Sequence, residues 1–360
     1  MAFIHPLDKL LLEIRMITKI DNITYLLDSE KKSATVTKSL VPYSGDVTIP
    51  SIVEAGGVEY AVADILDEAF MECTALRSVV LGENVDSVGI SAFEGCSMLE
   101  TVTFNNALHM IGMQAFKGCA SLREVVLPAN VLVIGRSAFA GCVALEKAYL
   151  PDNLVNIEPS LFDGCSSLER ISIGNLVDCI GEYAFCGCSA LEEVLLPEGL
   201  LSVEGWAFRD CASLRAIDLP QSVAAVKKGA FWGCSSLKEF TLPQAANMFD
   251  QGVVANCSSL RRVHLHEGVL SIGYGAFYNC EVLETLTLPA AVVNVGDQAF
   301  RGCKALKELR VLCDAAPMCS ADIADADVYA RTILRVPAGK VGEYGFARVW
   351  EKFGNVEELA

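Results

Sequence analysis

Fifteen of the 360 residues are cysteine, and thiolates ligate metals, exchange disulfides and attack electrophiles. Eleven of them recur every 23 residues without a slip: Cys73, Cys96, Cys119, Cys142, Cys165, Cys188, Cys211, Cys234, Cys257, Cys280 and Cys303. Side chains that share a face on neighbouring strands place their Cβ atoms about 4.8 Å apart, wider than the ~3.5–4.5 Å that a disulfide spans. The spacing therefore predicts reduced, buried thiols filling a narrow column, not redox or metal chemistry. Of the other four, Cys179 and Cys186 fall within one repeat, and Cys313 and Cys319 flank Pro317. A Cys313–Cys319 bridge stays open at this point, because spacing alone does not fix disulfide geometry.

The remaining residues offer little for catalysis. His264 and His266 lie two apart on one strand face, but no third ligand accompanies them. Gly273-Tyr274-Gly275 lacks the third glycine and the strand–turn–helix setting of a dinucleotide turn. There is no P-loop, no H-E-x-x-H and no G-x-S-x-G. The sequence predicts neither an enzyme nor a cofactor. Recognition is a better fit. Tyr183 and Trp206 take one repeat position in successive repeats, with Trp232 one repeat on, and Arg209, Lys227 and Lys228 fall beside them. Large rings with a cationic fringe have the composition of binding hot spots. They are expected to form one exposed patch that favours an acidic partner or a carboxylated sugar; the alternative is that the rings shield the edge of an internal phenylalanine column. A second candidate surface is the outward strand face, including Lys147, Tyr149, Arg170, Leu195 and His264. Its side chains vary from repeat to repeat while the columns around them stay constant.

These residues need a scaffold, and the sequence supplies one. A typical unit reads L-x-x-V-x-L-P, then V-x-x-I-G, then A-F-x-G-C, as in Leu122 to Cys142. Phe stands three residues before every ladder Cys except Cys257, where Val254 replaces it. A 23-residue unit cannot bury its own apolar side, but a stack of such units can, each coil covering the next. The alternation within V-x-L is that of a half-buried strand, and the Pro that follows several of these strands ends them. The residue before Cys is Gly, Asn or Asp in ten of the eleven coils, which predicts a left-handed backbone there. Around Phe249 the unit departs: Val253-Val254 replaces A-F and Phe249 takes the Ile position. A volume trade between layers would explain both changes; a local kink is the alternative.

The recurring A-F-x-G-C-x-x-L-x-x-V-x-L-P and V-x-x-I-G resemble the BspA-like leucine-rich repeat family, over roughly residues 60–312. The expected fold is a strand-rich, α/β-type repeat solenoid, a right-handed leucine-rich-repeat superhelix with a β N-terminal cap and a mixed C-terminal cap. The expected divisions are residues 1–60 as N-terminal region and cap, 61–312 as solenoid, and 313–360 as C-terminal cap. In the first, Ile23–Leu27, Ala34–Lys38, Val47–Pro50 and Val58–Val62 read as strands. In the last, Thr332–Val336 reads as a strand, and Tyr344, Phe346, Trp350 and Phe353 form an apolar helical stripe.

The net charge of −17 argues against nucleic acid and anionic membranes. No apolar run is long enough to span a bilayer. Residues 1–13 make a poor leader, being short and charged in their apolar part. The chain is thus either cytoplasmic or lacks a leader already removed, and the resemblance favours a secreted or cell-surface bacterial protein. The resemblance further implies a protein-binding or adhesion module for host, extracellular-matrix or neighbouring-cell proteins. A glycan-binding module and a structural spacer without a ligand are the alternatives. Oligomeric state is left open by the sequence.

Overall fold

The computed structural model describes residues 15–359; the leader-like stretch at residues 1–13 lies outside them. The fold is a strand-rich solenoid of short parallel strands with two six-residue α-helices near its C-terminal end. Backbone contacts divide it into two compact units, Met1–Leu154 with Leu161–Gly174, and Val155–Ser160 with Asn175–Ala360.

The first unit begins with β1 (Arg15–Ile20) and β2 (Ile23–Asp28), an antiparallel hairpin turning through Asp21 and Asn22 at φ 45° and 69°. Both are residue types that tolerate this left-handed turn. Then come β3 (Ser33–Thr37), β4 (Gly45–Thr48), β5 (Ile52–Ala55) and β6 (Val58–Ile65). Of these six, β1 and β5 were not expected; β1 exposes Met16 and Ile17 together, so its alternation is weak. Two parallel ladders then run through the coils. One continues from β6 through Ser87–Val88, Met110–Ile111 and Val133–Ile134. The other runs from β4 through Leu76–Val80 to Thr101–Thr103, and again through Glu124–Val126, Lys147–Tyr149 and Arg170–Ser172. Between the ladders lies the phenylalanine column. Tyr43 closes it, 4.4 Å from Phe70, and the rings from Phe70 to Phe162 follow at 4.7, 5.0, 5.4 and 5.7 Å, nearly parallel.

In the second unit the same layers recur. Asn156–Ile157, Cys179–Ile180, Ser202–Val203 and Ala225–Val226 form one ladder segment. The other ladder ends in four parallel strands, Thr285–Leu288, Glu308–Val311, Ile333–Val336 and Asn355–Glu358. At the irregular coil the expected volume trade is what the structure shows. Phe249 is buried, stacks on Phe277 at 4.8 Å and meets Phe240 edge-on at 5.8 Å, while Phe240 reaches Phe231 at 5.4 Å. The ring column therefore passes sideways around Val254, and Met248–Phe249 keeps its ladder pairing with Ser271–Ile272.

Near the C-terminus, α1 (Ala326–Arg331) and α2 (Val341–Phe346) precede a single 3-10 turn, Trp350–Lys352. Tyr344, Trp350 and Phe353 are buried as expected. Phe346 is not; it is 89% exposed. It is the last residue of α2, and Ala347 already turns to extended backbone, so the helical spacing on which its burial rested ends before it can be applied. Tyr344 donates its hydroxyl to the Cys313 carbonyl at 2.8 Å, and the Trp350 indole donates to the Pro317 carbonyl at 2.7 Å.

Candidate functional site

The thiols come first, because their spacing was the strongest chemical signal. All eleven ladder cysteines are buried and none is bridged. Their role goes beyond filling space. Cys96 Sγ–H donates to the Phe70 carbonyl at 3.0 Å, and Cys119, Cys142 and Cys165 repeat the bond to Phe93, Phe116 and Phe139. In the second unit Cys211, Cys234, Cys257, Cys280 and Cys303 do the same, each to the carbonyl 26 residues earlier. Each thiol thus ties its coil to the preceding one, adding a second donor to a buried carbonyl that already accepts a backbone N–H within its own coil, as Phe70 does from Cys73. Burial pushes the Cys96, Cys142 and Cys303 thiols up to about 12, so none is a nucleophile near neutrality. Cys313 and Cys319 are separate thiols; Cys313 donates instead to the Pro289 carbonyl at 3.2 Å.

The A-F-x-G-C segment is a chain of short hydrogen-bonded turns bounded by two left-handed residues. The residue before Cys has positive φ in all eleven coils, Glu72 included. The second such position stands five residues before Cys and has no glycine signature: Glu68, Ser91, Gln114, Ser137, Ser160, Tyr183, Trp206, Gly229, Gly252, Gly275 and Gln298. Tyr183 and Trp206 therefore sit at φ 58° and 61°, where bulky residues are uncommon. Backbone bonds hold them there, Tyr183 N–H to the Gly205 carbonyl at 3.1 Å and Trp206 N–H to the Lys228 carbonyl at 3.0 Å.

This geometry assembles the aromatic patch. The Tyr183 and Trp206 rings are 6.5 Å apart and within 12° of parallel, and Trp206 meets Trp232 at 5.5 Å and 61°. Arg209 and Lys228 lie over the Trp206 ring at 5.3 and 5.6 Å, and Arg209 also pairs with Asp210 at 3.1 Å. A Cβ added at Gly229 would stand 2.2 Å from the Trp206 ring, and one at Gly252 2.9 Å from the Trp232 ring. Glycine in these coils supplies both the left-handed backbone and the space for the preceding ring.

One expectation needs correction. Tyr183, Trp206 and Trp232 are half-buried, not exposed. The cause is the stacking itself: Tyr183 lies alongside the Trp206 ring and the Gly229 backbone sits against its benzo part, so the indole is partly covered. Lys227 and Lys228 are exposed. Tyr183, Trp206, Trp232, Arg209 and Lys228, from three coils, are brought together, and Lys227 is the neighbour of Lys228 in the chain.

The strand face divides between the units. In the first, Lys147 pairs in register with Arg170, and Tyr149, 41% exposed, pairs with Ser172. In the second, Leu195 is 76% exposed and His264 lies two intervening coils away. His264 Nε2 meets Glu239 Oε1 at 2.7 Å, whereas His266 Nε2 meets the Ala246 carbonyl at 2.7 Å. The two imidazoles thus face different partners, and no cluster suited to a metal ion occurs among the described residues. Between Glu193–Leu195 and Ala216–Asp218 the expected ladder is missing, and a cleft of about 410 Å³ opens. Glu193 and Asp218 line it. Sequence reading also missed the ion pairs between coils, such as Arg123–Glu146, Arg215–Glu192 and Lys307–Glu284, each spaced by one repeat. The signal was available: opposite charges 23 residues apart.

No helix among the described residues is long and apolar enough to cross a membrane. Comparison with curated proteins finds no match. Among solved structures, the chain is similar to a leucine-rich repeat protein from Bacteroides ovatus ATCC 8483, at 24% identity and TM-score 0.63, covering 95% of this chain and 100% of that one. It is also similar to a leucine-rich cell surface protein from Faecalibacterium prausnitzii A2-165, at 25% identity and TM-score 0.52, covering 82% of this chain and 94% of that one. The description of a BspA-type leucine-rich repeat region fits residues 58–169 and 155–282, in six copies and over more than half the chain. With its thiol, phenylalanine and leucine columns in that register, the chain belongs to the BspA-type leucine-rich repeat family.

Proposed function

We propose that this protein is a non-enzymatic, protein-binding module displayed at a bacterial cell surface, and that the Trp206 patch is its principal contact. The observation that carries the reading is the pair of bulky aromatics held at left-handed positions, where other coils place Glu, Ser, Gln or Gly. Strained backbone of this kind costs about 1–2 kcal/mol per residue and is retained where the side chain is needed. Aromatic rims beside arginine and lysine, on a rigid support that loses little entropy on binding, are suited to protein recognition. The likeness to a leucine-rich cell surface protein supports the location. The strand face around Lys147, Tyr149 and Arg170 is the alternative contact.

A glycan-binding module would need an open aromatic face for a sugar ring to stack on. Trp206 keeps little of one, with Tyr183 and two cations around it. The test uses a panel of purified extracellular-matrix proteins and a glycan array. Trp206→Gln is the informative variant, because Gln114 and Gln298 already occupy the same backbone position. The expected result is saturable binding to a protein that weakens at least about tenfold in the variant, roughly the loss of one hot-spot side chain, with melting temperature nearly unchanged. Binding to glycans alone, or protein binding indifferent to Trp206→Gln, overturns the reading. Binding to neither leaves the spacer.

A further inference from the structure

We infer that the Trp206 patch recognises a short acidic peptide segment of its protein partner, an inference that rests on the protein-binding reading above. What the patch shows to solvent is donors. Neither the Trp206 nor the Trp232 indole N–H has an acceptor among the described residues, and neither is sealed from water. The Trp350 indole, by contrast, is committed to the Pro317 carbonyl. Lys227 and Lys228 are exposed and have no carboxylate partner among the described residues, whereas six other cations on the coils are paired with an acid one repeat away. An aromatic ring carries its partial negative charge on its faces and its partial positive charge at its edge. With Tyr183, Arg209 and Lys228 packed around the Trp206 ring, the two N–H groups and the two ammonium groups all favour negative charge.

The size of the patch selects the class of ligand. In register with Lys227, the coil before carries Glu204 and the coil after carries Asp250, and Glu182 stands two repeats before Lys228. The cationic surface is therefore about one coil wide and bracketed by carboxylates. A long sulfated or uronic polysaccharide laid across it would meet like charge on both sides. One or two Asp or Glu side chains on a peptide fit between. Charge complementarity in a chain of net charge −17 also directs the acidic segment to this point and away from the rest of the surface.

The test is fluorescence anisotropy of the whole protein with three probes: a twelve-residue Glu/Gly peptide, its Gln/Gly counterpart, and chondroitin sulfate. The Glu peptide is expected to saturate and the Gln peptide not. The double variant Lys227→Gln/Lys228→Gln should weaken the Glu peptide about tenfold, and salt raised toward 0.5 M should weaken it further. Both lysines are exposed, so an unchanged circular dichroism melt verifies folding. Equal binding of the Glu and Gln peptides, no binding of either, or an unchanged double variant overturns the inference, as does binding of chondroitin sulfate alone. If a matrix protein is captured through Trp206 yet the lysine variant binds it equally, the acidic-segment inference falls while the protein-binding reading stands. If Trp206→Gln leaves capture unchanged, the reading falls first.

Discussion

At the residue before each ladder cysteine the backbone is left-handed, and the side chains there differ in what that costs. Gly141 occupies the position at φ 72° with nothing closer than 3.6 Å to an added Cβ. Gly141→Ala should thus fit sterically and still destabilise by about 1 kcal/mol through the backbone alone. Glu72 is the single Glu in the column, at φ 59°, and Glu72→Gly should stabilise by roughly 0.5–1 kcal/mol. Urea unfolding of both variants checks the opposite signs. This column was legible because glycine, asparagine and aspartate advertise it. The second left-handed column was not, because Ser, Gln, Glu, Tyr and Trp have no common preference for it; the tertiary stack imposes it through bonds such as Trp206 N–H to Lys228. That is why the sequence placed the aromatic patch correctly in register but overstated its exposure. Register follows from counting, whereas burial depends on which way a strained backbone aims the ring.

Between elements, the phenylalanine column is one source of cohesion. Phe139 stacks between Phe116 and Phe162 at 5.4 and 5.7 Å and is completely buried. Phe139→Ala should cost about 3–5 kcal/mol. Val254→Phe tests the irregular coil: Phe249 already occupies the volume that the missing ring would need, so the added ring overpacks and destabilises by about 1–3 kcal/mol instead of restoring the consensus. Thermal and urea denaturation of the two variants decide the matter, and a stabilised Val254→Phe would show that Phe249 does not substitute for the column. The strands, turns and apolar columns were legible because every coil repeats the same pattern. The lapse of pairing at Glu193–Leu195 and Ala216–Asp218 was not, since the apolar pattern stays regular through it.

For the molecule as a whole, the thiols set its response to pH. Native Cys96, Cys142 and Cys303 keep their protons up to about pH 12, and burial raises Cys119, Cys211, Cys257 and Cys280 as well. Unfolded thiols lose theirs near ~8.5. The native state therefore binds more protons in that window, so stability is full below about pH 8.5 and falls as pH rises. Each such thiol adds about 1.4 kcal/mol per pH unit to the slope. At the acid end the sign reverses. The Ser91 hydroxyl and the Lys117 ammonium hold the Glu94 carboxyl low, so its contribution is present above the ordinary carboxylate range and lost as pH falls through it. Urea midpoints measured from pH 4 to 10 in reductant should decline on both sides, and far more steeply on the alkaline side. A flat alkaline limb would mean the thiols titrate in place.

The same bonds make protection a matter of neighbours. Cys142 donates to a carbonyl in the coil before it, and its own Phe139 carbonyl receives Cys165 from the coil after. The Phe139 carbonyl thus gains its second donor only when the next coil has docked, and the advancing end of a partly assembled stack has a thiol layer that no following coil covers. In an oxidising compartment, assembly and misbridging compete at that end. Once the last coil closes the competition is over, and a chain rich in cysteine can persist there with its ladder thiols out of reach.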